Sequence, residues 1–123
     1  MSTVYKADFA EPTAPLGERE VRTDVAAAYR LAAHYKLDDL IYSHVTARVP
    51  GTTDQFFIAP HGLWFDEVTA SSLAKVDMSG RVIDAGDHHD LPVSHFAALL
   101  HSSLYKARPD VNATLHMHTQ AGP

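Results

Sequence analysis

From Glu18 onward the chain switches repeatedly between two hydrophobic periods, and this alternation fixes the class of fold open to it. Between Glu18 and about Lys36, Val21, Val25, Ala28, Tyr29, Ala32 and Tyr35 recur at steps of three and four, the stripe of an amphipathic helix. Acidic Glu18 and Glu20 suit the positive end of that helix. Ile41 to Val49 then alternates, with Ile41, Ser43, Val45, Ala47 and Val49 on one face and Tyr42, His44, Thr46 and Arg48 on the other. Pro50-Gly51 makes a turn, and a second short strand over Gln55 to Ala59 completes a hairpin. Thr69 caps a short helix expected to reach about Lys75. Val76-Asp77 and Arg81-Val82-Ile83 flank Met78-Ser79-Gly80 as a small hairpin. Gly86 to Asp90 reads as a polar loop. Leu91-Pro92 opens a second helix whose Phe96, Leu99, Leu100, Ser103 and Leu104 share one face, and Pro109 stops it. The Tyr and Phe residues of the two helices are expected in the core. A last strand follows to His118. Helices alternating with strands give an α/β or α+β domain.

The last strand carries the most chemistry. In Thr114-Leu115-His116-Met117-His118-Thr119, Val111, Ala113, Leu115 and Met117 alternate with Asn112, Thr114, His116 and His118. Period two puts both imidazoles on one face and sends the apolar set to the core. Two such rings can reach one divalent cation, although zinc normally takes three or four protein ligands.

Composition narrows the partners. The 123 residues, 46% hydrophobic, suffice for one domain, expected over residues 18–123 behind a flexible tail over residues 1–17. A net charge of −5 with no basic block argues against nucleic acid or an anionic membrane as partner. No cysteine is present, so a metal must be held by His, Asp or Glu. No apolar run approaches a membrane span and no signal sequence opens the chain, which predicts a soluble, cytoplasmic protein. Nine histidines, if all protonated, would carry the net charge from −5 to +4.

Several ordered blocks carry a family resemblance: Ala28-Tyr29-Arg30-Leu31, Ile41 to Gly51, Glu67 to Asp77, and His101 to Asp110 followed by His116-Met117-His118. In that order and spacing, over about Glu18 to Pro123, the chain resembles the class II aldolase and adducin head domain. The resemblance implies a three-layer α/β/α domain around a largely antiparallel sheet, often assembled as a homo-oligomer, a cyclic tetramer. This chain is expected to hold the first half of it, ending after the His-x-His strand. The resemblance further implies a divalent metal, usually Zn2+, held by His116, His118 and a third histidine well downstream. That metal would polarise a small hydroxy-carbonyl, sugar-like substrate toward an enediolate, giving a lyase or epimerase.

Three departures qualify what the resemblance implies. No residue here matches the third ligand. Ala97 stands where the aldolases place a catalytic Glu, and alanine moves no proton. Ser43-His44 and His61-Gly62 stand where sugar-phosphate aldolases carry a Gly-Asn and a Ser-Gly phosphate site, so only Gly62 is kept. The resemblance places His44, His61 and Gly62 at the substrate cleft. Ala97 and the block Phe57 to Trp64 resemble the adducin-like branch, whose adducins are cytoskeletal. The alternatives are therefore a non-catalytic adducin-like binding or scaffold domain, or a truncated inactive fragment. Elsewhere His88 and His89 read as a solvated loop, His101 as a packed histidine, His34 as surface, Glu67 as a helix-entry residue, and Ser71 and Ser72 as polar residues of the short helix.

Overall fold

The computed structural model describes residues 16–40 and 42–119. The tail expected over residues 1–17 therefore lies, apart from Leu16 and Gly17, outside the described residues, as does Ile41. Helix α1 (Glu18–His34) precedes strands β1 (His44–Arg48) and β2 (Gln55–Ile58), two single 3-10 turns (Phe65–Glu67 and Ala70–Ser72), and strands β3 (Ala74–Asp77) and β4 (Val82–Asp84). Helix α2 (His95–Ala107) and strand β5 (Ala113–His116) complete it. The strands form one sheet in the order β4-β3-β2-β1-β5, antiparallel at every pairing.

The helices cover opposite faces of that sheet. Val25, Ala26, Tyr29 and Ala32 of α1 pack on Val45, Ala47 and Phe57. Ala97, Ala98 and Tyr105 of α2 pack on Phe56, Ile58 and Val76. The result is the expected α/β/α layering around an antiparallel sheet. Strand β1 is buried on both faces, so its alternation separates two cores rather than core from solvent. Long-range bonds fix α1 in place. Arg22 Nη1 donates to the carbonyls of Ala70 (3.2 Å) and Leu73 (3.0 Å), and its guanidinium lies 4.6 Å from the Phe57 ring centroid. Arg30 Nε donates to Val68 O at 2.8 Å. The helix ends in a Schellman motif, with Leu37 N bonding Ala32 O and Lys36 N bonding Ala33 O. Lys36 takes the left-handed conformation usually given to glycine, at φ 56°.

Four expectations need correction. The helix capped by Thr69 stops after one 3-10 turn, because Ala74 to Asp77 pair with β2 and the ladder claims the backbone that a helix to Lys75 would use. Helix α2 starts at His95 rather than at Leu91-Pro92, since Ser94 Oγ accepts from Ala97 N (3.2 Å) and the Pro92 carbonyl is taken by His61 N (2.8 Å). The buried face of α2 is Ala97, Ala98, His101, Ser102 and Tyr105, whereas Phe96 is 73% exposed. Bulky Phe56, Ile58 and Val76 already fill the sheet surface there, so close helix approach demands alanines. Tyr35 and Leu115 are exposed as well, Leu115 because β5 is an edge strand that α1 does not reach over. Of the helical aromatics, Tyr29 and Tyr105 are core and Tyr35 and Phe96 are not.

Candidate metal centre

Pairing of β1 with β5 assembles the site. The register sets His44 opposite His116 and Thr46 opposite Thr114. Cross-strand partners point to the same face, here the one covered by α2. Thr46 Oγ1 lies 2.6 Å from Thr114 Oγ1 and 2.8 Å from the Tyr105 hydroxyl, and Thr114 Oγ1 lies 2.6 Å from His101 Nδ1. This closed polar network ties α2 to both strands directly beneath the histidines. His101 is fully buried in it, as the packed histidine expected from the sequence.

His44 and His116 follow along the strands with rings stacked at 5.6 Å, and His101 meets His44 edge-on at 5.5 Å. His118 lies two residues past the ladder, yet its ring turns back to the same face. His116 Nε2 and His118 Nε2 are 2.9 Å apart. Met117 between them packs toward α1, as period two requires.

Do these residues fit a metal? Two zinc–nitrogen bonds at a tetrahedral angle separate their nitrogens by about 3.3 Å. The 2.9 Å observed is a few tenths short, a gap that a small ring rotation closes. Imidazole nitrogen suits zinc, and the two rings converge on one point. Among the described residues no group of three or more His, Asp or Glu side chains gathers to hold an ion. The pair thus supplies two ligands of a larger set. His88 and His89 lie in the connection between β4 and α2.

Electrostatics favour a neutral environment beside the pair. Burial, followed by repulsion from His116, His118 and His61, pushes the His44 pKa down to about 4. Burial, followed by His44 and His116, does the same to His101, to about 4. Both rings are therefore uncharged at neutral pH and do not repel a cation.

His44 also reaches the second predicted feature. Together with Ser43, His61, Tyr29 and Ser94 it lines a cavity of about 20 Å3. In two of its lining residues a polar atom, Ser43 Oγ and His44 Nδ1, is buried without a hydrogen-bond partner. The cavity is of the size of one water. The structure so brings His44 and His61 to one hollow that adjoins the histidine pair, with Gly62 next to it at φ 114°. Glu67 is elsewhere: its Oε1 accepts from Trp64 N at 3.2 Å, in keeping with a turn-capping role. Ser72 Oγ donates to Thr69 O within its own turn, and Ser71 Oγ donates to Asp87 in the loop after β4, so both serines are engaged in structural bonds.

One residue that the sequence did not reveal contacts the pair. Asp39 Oδ2 lies 2.9 Å from His118 Nδ1, across 79 residues of sequence. It sits in the connection between α1 and β1, and no local pattern marks it.

Comparison with known proteins places this geometry. Residues 23–122 match the family described as Class II Aldolase and Adducin N-terminal domain. Alpha-adducin of Rattus norvegicus is 45% identical over 106 residues, 86% of this chain and 14% of its own length. The crystal structure of an aldolase II superfamily protein from Pseudomonas syringae superposes with a TM-score of 0.79 at 45% identity, over 88% of this chain and 42% of that one. The L-fuculose 1-phosphate aldolase from Glaciozyma antarctica PI12 gives a TM-score of 0.79 at 32% identity, over 84% and 41%. The chain spans under half the length of each of these relatives. It belongs to the class II aldolase and adducin family.

Proposed function

We propose that the protein to which this chain contributes is a metal-dependent lyase or epimerase acting on a small hydroxy-carbonyl, sugar-like compound, in the cytoplasm and as a homo-oligomer. One observation carries the reading: His116 Nε2 and His118 Nε2 converge at 2.9 Å beside the hollow shared by His44 and His61. His116 and His118 would hold a divalent cation such as Zn2+. Bound there, such a cation would polarise the substrate carbonyl and stabilise negative charge on its oxygen. The protein groups act around that point. His44, uncharged and half-buried, offers a hydrogen-bonding ring nitrogen to a substrate hydroxyl. His61 and Gly62 are exposed beside it, where substrate would approach the histidines from outside. The network of His101, Thr114, Thr46 and Tyr105 keeps both strands in register, so the ring positions are set before substrate arrives.

A second reading, an adducin-like binding domain, is favoured by Ala97. It is fully buried against the sheet, one helical turn before His101, so the position where aldolases carry their acid–base Glu holds a side chain that transfers no proton. Among the described residues no helix is long and apolar enough to cross a membrane.

Solvent-deuterium exchange decides between the two. The protein with added Zn2+ is incubated in D2O with dihydroxyacetone phosphate and, separately, with dihydroxyacetone. Exchange at the carbon next to the carbonyl is followed by NMR. The enzymatic reading expects exchange that a chelator stops and His116→Ala abolishes. Absence of exchange with either compound, from protein that binds zinc, would favour the binding domain.

A further inference from the structure

We propose that Asp39 is a positioning residue for the histidine pair: its carboxylate fixes the proton of His118 on Nδ1 and thereby aims the Nε2 lone pair at the point faced by His116. The inference rests on the reading of the pair as a metal site and says how that site is kept ready.

The chemistry follows from one distance. Asp39 Oδ2 and His118 Nδ1 are 2.9 Å apart. An ionised carboxylate only accepts, so the ring nitrogen must be the donor. In a neutral imidazole a proton on Nδ1 leaves Nε2 bare, and a bare nitrogen is what a metal needs. Carboxylate partners of this kind fix the tautomer and raise the basicity of a ligating histidine.

The backbone shows why the support is needed. His118 lies beyond the last β5 ladder pair, so no cross-strand partner orients its ring. Its side chain is 45% exposed, which would leave it free to rotate. His116, by contrast, is held by its place opposite His44 and by stacking on that ring. Asp39 supplies from another part of the chain what the ladder does not. It is itself set by a turn in which Tyr42 N donates to its carbonyl at 2.9 Å. The next residue, Leu40, stands at φ 52°, a conformation that leucine rarely adopts. The connection between α1 and β1 is therefore bent into a particular shape at the point from which the carboxylate reaches His118.

Two readouts test this on the full chain, neither depending on turnover. Ring-nitrogen NMR without metal reports the His118 tautomer in the wild type, Asp39→Asn and Asp39→Ala. Competition with a chromophoric chelator reports zinc affinity in the same proteins and in His118→Ala. We expect the Nδ1–H tautomer in the wild type, its loss in Asp39→Ala, and partial retention in Asp39→Asn, whose amide oxygen still accepts. Zinc affinity should fall about 10–100-fold in Asp39→Ala, less in Asp39→Asn, and be lost in His118→Ala. Thermal midpoints should stay unchanged, since the Asp39 side chain is half exposed. A wild-type His118 protonated on Nε2, or equal zinc affinity in the wild type and Asp39→Ala, would overturn the role of Asp39. A wild type with the Nδ1–H tautomer but no zinc uptake would instead defeat the metal reading, while leaving Asp39 as the group that sets the ring.

Discussion

Lowering the pH should cost this fold stability through His101, by an amount that the structure sets. The ring is fully buried, with Nδ1 bound to Thr114 and Nε2 without a partner. Burial, then the neighbouring His44 and His116, pushes its pKa down from the ordinary 6.5 to about 4. Above pH 6.5 the ring is neutral in both folded and unfolded chains, and pH has no leverage. Between there and pH 4 the unfolded chain takes up a proton that the folded chain refuses, so stability falls; below pH 4 the loss is complete. A difference of two to three pKa units, at about 1.4 kcal/mol each, amounts to about 3 kcal/mol. Domains are stable by only about 5–15 kcal/mol, so the effect is large. The assay is urea denaturation of the wild type and His101→Gln at pH 7, 5.5 and 4. Glutamine retains a hydrogen-bonding group near Thr114 and does not titrate. His44 shifts in the same direction but is present in both proteins, so its share largely cancels. The penalty of the substitution should be largest at pH 7 and shrink by about 3 kcal/mol on reaching pH 4. A penalty equal at pH 7 and pH 4 would refute the reasoning, because His101 would then titrate alike in both states.

Other substitutions probe the frame that carries the site. Gly86→Ala should cost 2 kcal/mol or more, roughly, because φ is 64° and a Cβ would lie 2.7 Å from the carbonyl oxygens of both Leu73 and Ser71. Gly51→Ala, at φ 76° with nothing within 4 Å, should lose only about 1 kcal/mol, both variants being compared with the wild type in thermal melts. Phe57→Ala should destabilise by about 3–5 kcal/mol, whereas Phe96→Ser, at an exposed site, should stay within about 0.5 kcal/mol. Ser94→Ala should lose about 1 kcal/mol in urea denaturation with the removed cap of α2.

How much of this was legible in the sequence depends on the range of the interaction. The common face of His116 and His118 follows from the two-residue period alone, and so do Thr46 and His44 on one face of β1. What the sequence does not state is that β1 pairs with β5, which puts these two faces side by side and turns four separate polar residues into one site. In helix α2 the most visible stripe, Phe96, Leu99 and Leu104, is not the one that packs. Alanines against a bulky sheet surface are a weak signal, decided by the volume of Phe56, Ile58 and Val76 on other elements. The start of that helix is written in Ser94, whose hydroxyl caps it, a stronger signal than proline near a first turn at Leu91-Pro92. Asp39 could not be found: it belongs to no period, and its partner is 79 residues distant.

If the His-x-His strand is the metal-binding element, metal content must follow its two histidines. The wild type, His116→Ala, His118→Ala and His88→Ala are dialysed against Zn2+, then against metal-free buffer, and analysed by plasma emission. Zinc should be retained by the wild type and by His88→Ala, and lost from His116→Ala and His118→Ala. Loss from His88→Ala equal to that from His116→Ala, or a wild type that retains none, would contradict it.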